Sequence, residues 1–200
     1  MRERPIIFSA PMVRAILADT KVQTRRVVSD RHIPEVADHK TRTLRKVKPL
    51  AHECPYGHPG DRLWARETWA VRQLQAGHWL EYRADAANLR TQHRNAAGSV
   101  LPSDSWKPSI FMPRWASRLN LEILNVRVER VQGISEADAM AEGCESRLEW
   151  RPMPGEALWE PDYEVTARDD FKQLWDGINA KRGYGWAANP WVWVITFQRG

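Results

Sequence analysis

The sequence predicts an α+β fold that is mostly β: a small barrel of about six strands with short helices packed against it. Apolar and polar residues alternate over most of residues 119–134, as expected for half-buried strands. Residues 191–197 are apolar at nearly every position, which indicates a strand covered on both faces. The helical patterns are few and short, and 200 residues suit a single domain, 1–200.

The first elements follow from local signals. Residues 6–8 form an apolar run typical of a short strand, and Pro11 suits the first turn of a helix over residues 11–19. The β-branched residues that follow favour extended chain. Polar composition and turn residues predict three loop insertions, near residues 29–58, 86–108 and 145–165.

The centre of the chain predicts strands. Residues 63–71 follow a Gly-Asp turn and predict one strand, and residues 78–85 predict its hairpin partner. Within residues 119–134 the alternation changes phase at Leu124, which indicates a bulge or bend in the backbone.

A compact helix follows. Ser135 is a good N-cap with Asp138 three residues later, and Gly143 is typical of the residue just past a helix end. Glu142 then falls in the last turn, where the helix dipole disfavours a carboxylate. A further helix begins after Thr166.

Composition narrows the class of protein. Apolar residues make up 42% and charged residues 28% of the chain, as in soluble globular proteins. No uncharged apolar run approaches the ~18 residues that a membrane span requires. The apolar run near the N-terminus is too short for a signal peptide, so we expect a cytoplasmic protein without membrane contact.

The cysteines and histidines offer one alternative site. His52, Cys54 and His58 lie within seven residues, and Cys144 is available as a fourth zinc ligand. This spacing fits no recurrent zinc pattern, and the same segment is typical of a turn leading into a strand. We therefore expect no metal and no other cofactor, and two cysteines are too few for a disulfide scaffold.

Positive charge is concentrated at the start of the chain. Residues 1–50 carry 12 Lys and Arg against 5 Asp and Glu, a net charge of +7, and the remainder has a net charge of −2. Such a segment attracts phosphates. A solvated basic segment is the competing interpretation, above all for residues 38–49.

Several motifs resemble the ASCH domain family. The segment TKVQTRR places Lys21, Thr24 and Arg26 at the spacing of the family signature Gly-x-Lys-x-x-(Glu or Thr)-x-Arg, with Asp19 at the glycine position. The stretches CPYGHPGDRLWARETW, PRWASRL and NPWVWVITF are similar to the longer ASCH proteins of phages and prophages. The resemblance implies a PUA-like β-barrel, a fold that often binds RNA.

Within that family, small bacterial N4-acetylcytidine amidohydrolases use a Lys, a Thr three residues later and a Glu after a short helix. ISEADAMAEG matches the form of that helix and places Glu142 at the Glu position. The resemblance thus implies Lys21, Thr24 and Glu142 as catalytic residues of a metal-independent amidohydrolase. Its substrate would be N4-acetylcytidine or a related N4-acylated cytosine nucleoside or base, with Thr24 as nucleophile.

The chemistry sets conditions on these residues. A hydroxyl is a weak nucleophile until a base takes its proton, and lysine is a base only when neutral, a form favoured by burial and nearby cations. Glu142 could orient Lys21 or relay a proton to the departing N4. Because residues three apart face opposite sides of a strand, Lys21 and Thr24 converge only if a turn lies between helix and strand.

Each candidate also has a plainer interpretation. The Lys and Thr of a Lys-x-x-Thr sequence are usually exposed surface residues without a functional role. A Glu at a helix end is usually solvated. Arg25 and Arg26 are each a candidate substrate contact, but such an arginine is more often a structural ion-pair partner. Glu67 is a candidate for lining the pocket, and Trp69 and Tyr82 are candidates for stacking on a base, with core packing as the competing role of Trp69.

Two rival functions remain open. One is a non-catalytic ASCH module that binds RNA through its basic N-terminal region. The other is a ribonuclease, although none of the six histidines shows a defensible acid–base pairing.

Overall fold

The computed structural model describes residues 1–33, 35–38, 43–46, 51–74, 77–85, 106–152 and 159–200. Over these residues the protein is an α+β molecule in which strands predominate, as predicted. The three helices are α1 Ala10–Leu17, α2 Glu136–Ala141 and α3 Ala167–Asn179. None of these helices is long and apolar enough to cross a membrane. The strands are β1 Glu3–Ile7, β2 Gln23–Val27, β3 Glu35–Asp38, β4 Thr43–Lys46, β5 Arg62–Arg66, β6 Trp69–Leu74, β7 Gly77–Tyr82, β8 Asn120–Arg130, β9 Arg147–Pro152, β10 Trp159–Val165 and β11 Trp191–Arg199.

Five of these strands form the main sheet, in the order β1-β5-β8-β11-β2. The others form three two-stranded antiparallel pairs, β3–β4, β6–β7 and β9–β10. No closed barrel is found among the described residues. The number of strands also exceeds the predicted six. The β3–β4 and β9–β10 hairpins lie outside the segments with clear alternation, and one predicted strand is divided into β5 and β6.

The chain divides into two compact units. The first comprises Met1–Asp19, Tyr56–Ile123 and Phe197–Gly200, and the second comprises Thr20–Pro55 and Leu124–Thr196.

The first unit has two apolar centres. Strand β1 pairs in parallel with β5, which pairs antiparallel with the start of β8. Helix α1 buries Val13 and Ile16, and the Phe8 and Phe197 rings lie 6.2 Å apart. Beneath the β6–β7 hairpin, Trp69 packs with Met112 and Ala116 in a separate cluster.

The second unit is built on β2, β11 and two helices. Strand β2 pairs antiparallel with β11, with Thr24 opposite Ile195. The apolar stripe predicted for α3 buries Phe171 and Trp175, which pack with Ala139 of α2 and Val194 of β11. This core holds α2 in the second unit together with β2.

Several predicted elements are confirmed. Helix α1, the β6–β7 hairpin, the helix after Ser135 and the closing strand all form. The phase shift at Leu124 is also confirmed: Leu121 and Ile123 are buried before it and Val126 and Val128 after it, while Leu124 is exposed.

Other predictions differ from the structure. The single strand predicted over residues 63–71 is two strands, β5 and β6, separated at Glu67 and Thr68. At this break the Glu67 N–H donates to Met112 Sδ at 3.3 Å, outside the strand ladder. The segments predicted as loops at 29–58 and 145–165 contain the β3–β4 and β9–β10 hairpins. Of the loop predicted at 86–108, residues 86–105 lie outside the described residues.

Candidate active site

Lys21 and Glu142 meet in the second unit as a buried ion pair. Lys21 Nζ donates to Glu142 Oε2 at 2.6 Å and to the Glu142 carbonyl oxygen at 2.8 Å. The two residues are 121 positions apart in the chain, and their side chains are 0% and 4% exposed. An isolated antiparallel bridge between them fixes the backbones, supported by Val22 N–H donating to the Ala141 carbonyl at 2.9 Å.

Helix α2 delivers Glu142 to this position. Ser135 Oγ accepts from the Asp138 N–H at 3.1 Å, which confirms the predicted N-cap. At the other end Gly143 takes a positive φ of 85°, and the Gly143 and Cys144 N–H groups bond to the Met140 and Ala139 carbonyls. This is the Schellman arrangement that glycine favours.

The contacts of Glu142 explain why a carboxylate stands at this helix end, where the helix dipole disfavours it. Glu142 is the C-cap residue of α2, so its carbonyl has no acceptor role inside the helix. The Lys21 ammonium donates a hydrogen bond to this carbonyl and balances the charge of the Glu142 carboxylate. A single cation therefore satisfies the helix terminus and the side chain that would otherwise oppose it.

A larger charge cluster surrounds the pair. Arg25 Nη2 donates to Glu129 Oε1 at 2.6 Å and to Asp138 Oδ2 at 3.0 Å, and its Nη1 donates to Gln23 Oε1 at 2.6 Å and Glu142 Oε1 at 3.2 Å. Arg127 adds bonds to Glu129 at 3.2 Å and Asp138 at 2.7 Å. We call these groups the α2 ionic cluster; it balances three cations against three carboxylates: Lys21, Arg25, Arg127, Glu129, Asp138 and Glu142.

The cluster changes the titration of its neighbours. Burial alone would raise the pKa of Asp138, but hydrogen bonds from Gln23 and Arg127, with the Arg25 charge, leave it below its ordinary value. Burial raises the pKa of the Cys144 thiol to about 12, and the Asp170 and Glu142 carboxylates act in the same direction. Cys144 is thus held as an inert thiol beside the candidate site.

Thr24 lies on the other face of β2. The Gln23 and Arg25 side chains bond to each other, so they share one face of the strand, and Thr24 between them faces the opposite side. Within the described residues no hydrogen bond joins the Thr24 hydroxyl to Lys21 or Glu142. The structure therefore brings Lys21 and Glu142 together and places Thr24, the third predicted catalytic residue, on the opposite face of β2.

Burial overturns the surface interpretation of these residues. Lys21 is 1% exposed, Thr24 3% and Glu142 5%. Arg26 is half-buried and lies opposite Trp193 in the β2–β11 register. Asp19 adopts a positive φ of 57°, a conformation that favours glycine but that Asp tolerates. Asp19 is the residue that the resemblance places at the glycine position of the ASCH signature.

The remaining predicted residues lie in the first unit. The Glu67 carboxylate accepts from Arg118 at 2.9 and 3.1 Å, and the Arg118 guanidinium lies 4.0 Å from the centre of the Tyr82 ring. Burial raises the pKa of Glu67, against the opposing effect of Arg118. Trp69 is buried in the cluster under the β6–β7 hairpin, which confirms a core-packing role, and Lys107 Nζ lies 4.9 Å from its ring centre.

Sequence reasoning missed most partners in the α2 ionic cluster. The sequence offered Arg25 as a nearby cation and as either a structural ion-pair partner or a substrate contact, and the ion-pair role is confirmed. It gave no role to Glu129 or Arg127. The signal present was periodic: Lys21, Gln23 and Arg25 alternate in the chain, and Asp138 and Glu142 are four apart, on one helix face. No group of His, Cys, Asp or Glu suited to a metal ion occurs in the described part of the chain, where Cys54 and Cys144 are buried and form no disulfide.

Comparison with known proteins returned no match among family models, curated proteins or solved structures. The resemblance to ASCH domains therefore rests on the sequence motifs, and the site rests on its geometry.

Proposed function

We propose that the chain is a metal-independent amidohydrolase that removes the acyl group from N4-acetylcytidine or a related N4-acylated cytosine nucleoside. The ASCH-like motifs suggest the reaction. The observation that carries the proposal is the Lys21–Glu142 contact, in which a lysine with a fully buried side chain meets a carboxylate from a distant helix end at 2.6 Å. Buried titratable pairs of this kind are characteristic of catalytic sites as well as of structural networks.

The contact geometry suits a lysine base. A neutral amine has two N–H groups and one lone pair, and Lys21 Nζ has two acceptors, both on Glu142. Lys21 is a cation in the α2 ionic cluster, so it must first lose a proton to act as a base. Two N–H groups can then stay on Glu142 while the lone pair is directed away from it. Glu142 thereby orients the base, a role that a carboxylate commonly performs for a catalytic partner.

The resemblance assigns the attack on the acyl carbon to the Thr24 hydroxyl, with its proton passing to Lys21. This step requires Thr24, which faces the opposite side of β2 from Arg25, to approach Lys21. The carbon–nitrogen bond then breaks, and the proton is delivered to N4 of the departing cytosine. Water hydrolyses the resulting ester and releases the carboxylic acid and free Thr24. Arg26 remains a proposed substrate contact, and the PUA-like barrel remains part of the same proposal.

The direct experiment is incubation of purified protein with N4-acetylcytidine, with cytidine and acetate measured by chromatography. Lys21→Met should remove turnover, while Lys172→Met, on the exposed face of α3, should keep it. Both variants are compared only where circular dichroism shows a native fold. Turnover should also survive exhaustive chelation.

Three results would contradict the proposal. Activity that is lost on chelation and restored by zinc would reject the metal-independent mechanism. A folded Lys21→Met variant with normal turnover would reject the Lys21 base. Absence of hydrolysis of any N4-acylated cytidine by the unmodified protein would reject the amidohydrolase and leave RNA binding as the leading function.

A further inference from the structure

Arg25 occupies an unassigned position of the ASCH-like signature, yet its side chain makes the most contacts in the α2 ionic cluster. We propose that Arg25 is a positioning residue of the candidate site, which fixes the Glu142 carboxylate so that Oε2 is presented to Lys21. The inference rests on the proposed hydrolase function for its catalytic consequence. Its geometric content, that Arg25 holds Glu142 against Lys21, is independent of any reaction.

The two oxygens of Glu142 have different partners. Oε2 accepts from Lys21 at 2.6 Å, and Oε1 accepts from Arg25 Nη1 at 3.2 Å. A carboxylate held by one cation alone can rotate about its terminal torsion, which is broad. Contacts to both oxygens remove that freedom and leave Oε2 aimed at Lys21.

Arg25 is itself held from three elements. Gln23 on β2, Glu129 on β8 and Asp138 on α2 accept from the two ends of its guanidinium, at 2.6, 2.6 and 3.0 Å. The guanidinium is planar and its donors form a rigid fork, so fixing Nη2 also fixes Nη1. The side chain is 0% exposed and lies 5.6 Å from the centre of the Phe171 ring.

Arg25 also shares the charge of Glu142. With Arg25 present, the carboxylate contacts two cations; without it, Lys21 is its remaining cationic contact. Charged and titratable groups around the pair and Arg25 come from β2, β8, α2, the second residue after the C-cap of α2, and α3. They are Arg25, Arg127, Glu129, Asp138, Cys144 and Asp170.

Arg127 provides a matched control. It contacts the same two outer carboxylates, Glu129 and Asp138, but no bond joins it to Glu142. Replacing either arginine removes one positive charge from the cluster. Only replacement of Arg25 removes the second contact of the Glu142 carboxylate.

The experiment compares Arg25→Gln, Arg25→Lys and Arg127→Gln by steady-state kinetics. Arg25→Gln should lower kcat on the order of 10²-fold, the loss expected when a catalytic group is misplaced by about 1 Å, with KM little changed. Arg25→Lys restores the charge without the fork, so it should retain the loss in kcat. Arg127→Gln should leave both kcat and KM unchanged.

A second measurement does not depend on activity. The ammonium signal of Lys21 in ¹⁵N-lysine NMR should shift in Arg25→Lys and stay unchanged in Arg127→Gln. If the unmodified protein is inactive but this pattern holds, the proposed function fails and the positioning role stands. An active protein whose Lys21 signal is indifferent to Arg25 overturns the positioning role, as does normal kcat in Arg25→Lys or an equal loss in both Gln variants.

Buried arginine variants can fail to fold, so Glu129→Gln provides another test. It removes one of the two closest partners of Arg25 while leaving Arg25 and Glu142 in place. A lower kcat with unchanged KM and a shifted Lys21 signal would support the positioning role. Unchanged kcat and an unchanged signal would overturn it.

Discussion

At the scale of single residues, Lys21 combines a stabilising and a proposed chemical role at one nitrogen. Its ammonium donates to the carbonyl of Glu142, the C-cap residue of α2, and to the Glu142 carboxylate. All three groups are removed from water. Desolvating a lysine and a glutamate is unfavourable, and a buried pair repays that penalty only with good geometry and further hydrogen bonds. The contacts to Arg25 and the helix terminus provide those bonds.

This arrangement predicts strong coupling between the two residues. Lys21→Met should lower the free energy of unfolding by about 3–5 kcal/mol, because it leaves a buried carboxylate with a weaker partner. The double variant Lys21→Met/Glu142→Leu should lose less than the sum of the two single variants, since both charges are then absent. Denaturant unfolding measures all three values.

Lys172→Met is the control for this cycle, and as a substitution on the exposed face of α3 it should change stability by no more than about 0.5 kcal/mol. Additive losses in the double variant would show that the 2.6 Å contact contributes no coupling.

Thr24 permits a sharper test of the nucleophile. Thr24→Val keeps the shape of the side chain and removes the hydroxyl, and Thr24→Ser keeps the hydroxyl and removes a methyl group. If Thr24 attacks the acyl carbon, the Val variant should lose turnover of N4-acetylcytidine and the Ser variant should retain a measurable fraction. Initial rates are measured beside thermal melts of both variants.

The position of Thr24 on the opposite face of β2 from Arg25 makes this result informative. A well-folded Thr24→Val variant with near-normal turnover would remove Thr24 from the mechanism. Water activated by Lys21 and Glu142 would then be the attacking group, and the remainder of the proposed function would stand.

At the scale of elements, α2 was predicted well because its signals are local. Ser135, Asp138 and Gly143 lie within nine residues, and capping depends on near neighbours. The spacing of Ser135 and Asp138 also matches a reciprocal capping box, of which only the bond from the Asp138 N–H to Ser135 is shown. The Asp138 carboxylate bonds to Gln23, Arg25 and Arg127. Those partners are 11–115 positions away, and no local pattern encodes them.

The Asp138 contacts predict a dependence on pH. Its pKa in the folded protein lies below the ordinary value of 3.8, because the hydrogen bonds from Gln23 and Arg127 outweigh burial. Its stabilising contribution is therefore complete above pH 3.8 and is lost as the pH falls below that value. Asp138→Asn should be less stable than the unmodified protein at neutral pH, and the two melting curves should converge in acid.

Thermal melts between pH 7 and pH 2 test this expectation. Glu145→Gln, an exposed change just beyond α2, should leave the pH dependence unaltered. A constant difference in melting temperature between Asp138→Asn and the unmodified protein, at every pH, would show that the lost hydrogen bonds are insensitive to titration.

The predicted and missed strands follow the same rule. Strands with apolar alternation, such as β8, or with continuous apolar sequence, such as β11, were found because burial produces those patterns. The β3–β4 and β9–β10 hairpins were missed because their sequences are rich in charged residues and prolines. Their ladders depend on backbone pairing, which leaves a weak trace in side-chain periodicity.

At the scale of the whole molecule, the distribution of charge bears on the RNA-binding alternative. The first 50 residues have a net charge of +7, but not all of that charge is available to a phosphate. Arg25 and Lys21 are buried among carboxylates. The sequence identified the excess of cations correctly, whereas their division into buried and accessible groups required the fold.

The basic segment between Arg25 and residue 50 is therefore the segment in which to test for RNA binding. If Arg45, Lys46 and Lys48 contact phosphates, replacing all three with Gln should weaken binding to single-stranded RNA and reduce the slope of log K against log salt by about 2. A control replaces Lys172, Lys181 and Arg182 with Gln. These residues are exposed, and their replacement removes the same net charge. Fluorescence anisotropy across a salt series measures both slopes.

Equal slopes in the two triple variants would assign the effect to net charge alone, and binding that is indifferent to salt would leave residues 38–49 as solvated surface. A selective loss of slope in the first variant, together with absent hydrolysis of N4-acylated cytidine, would make RNA binding the function of the chain.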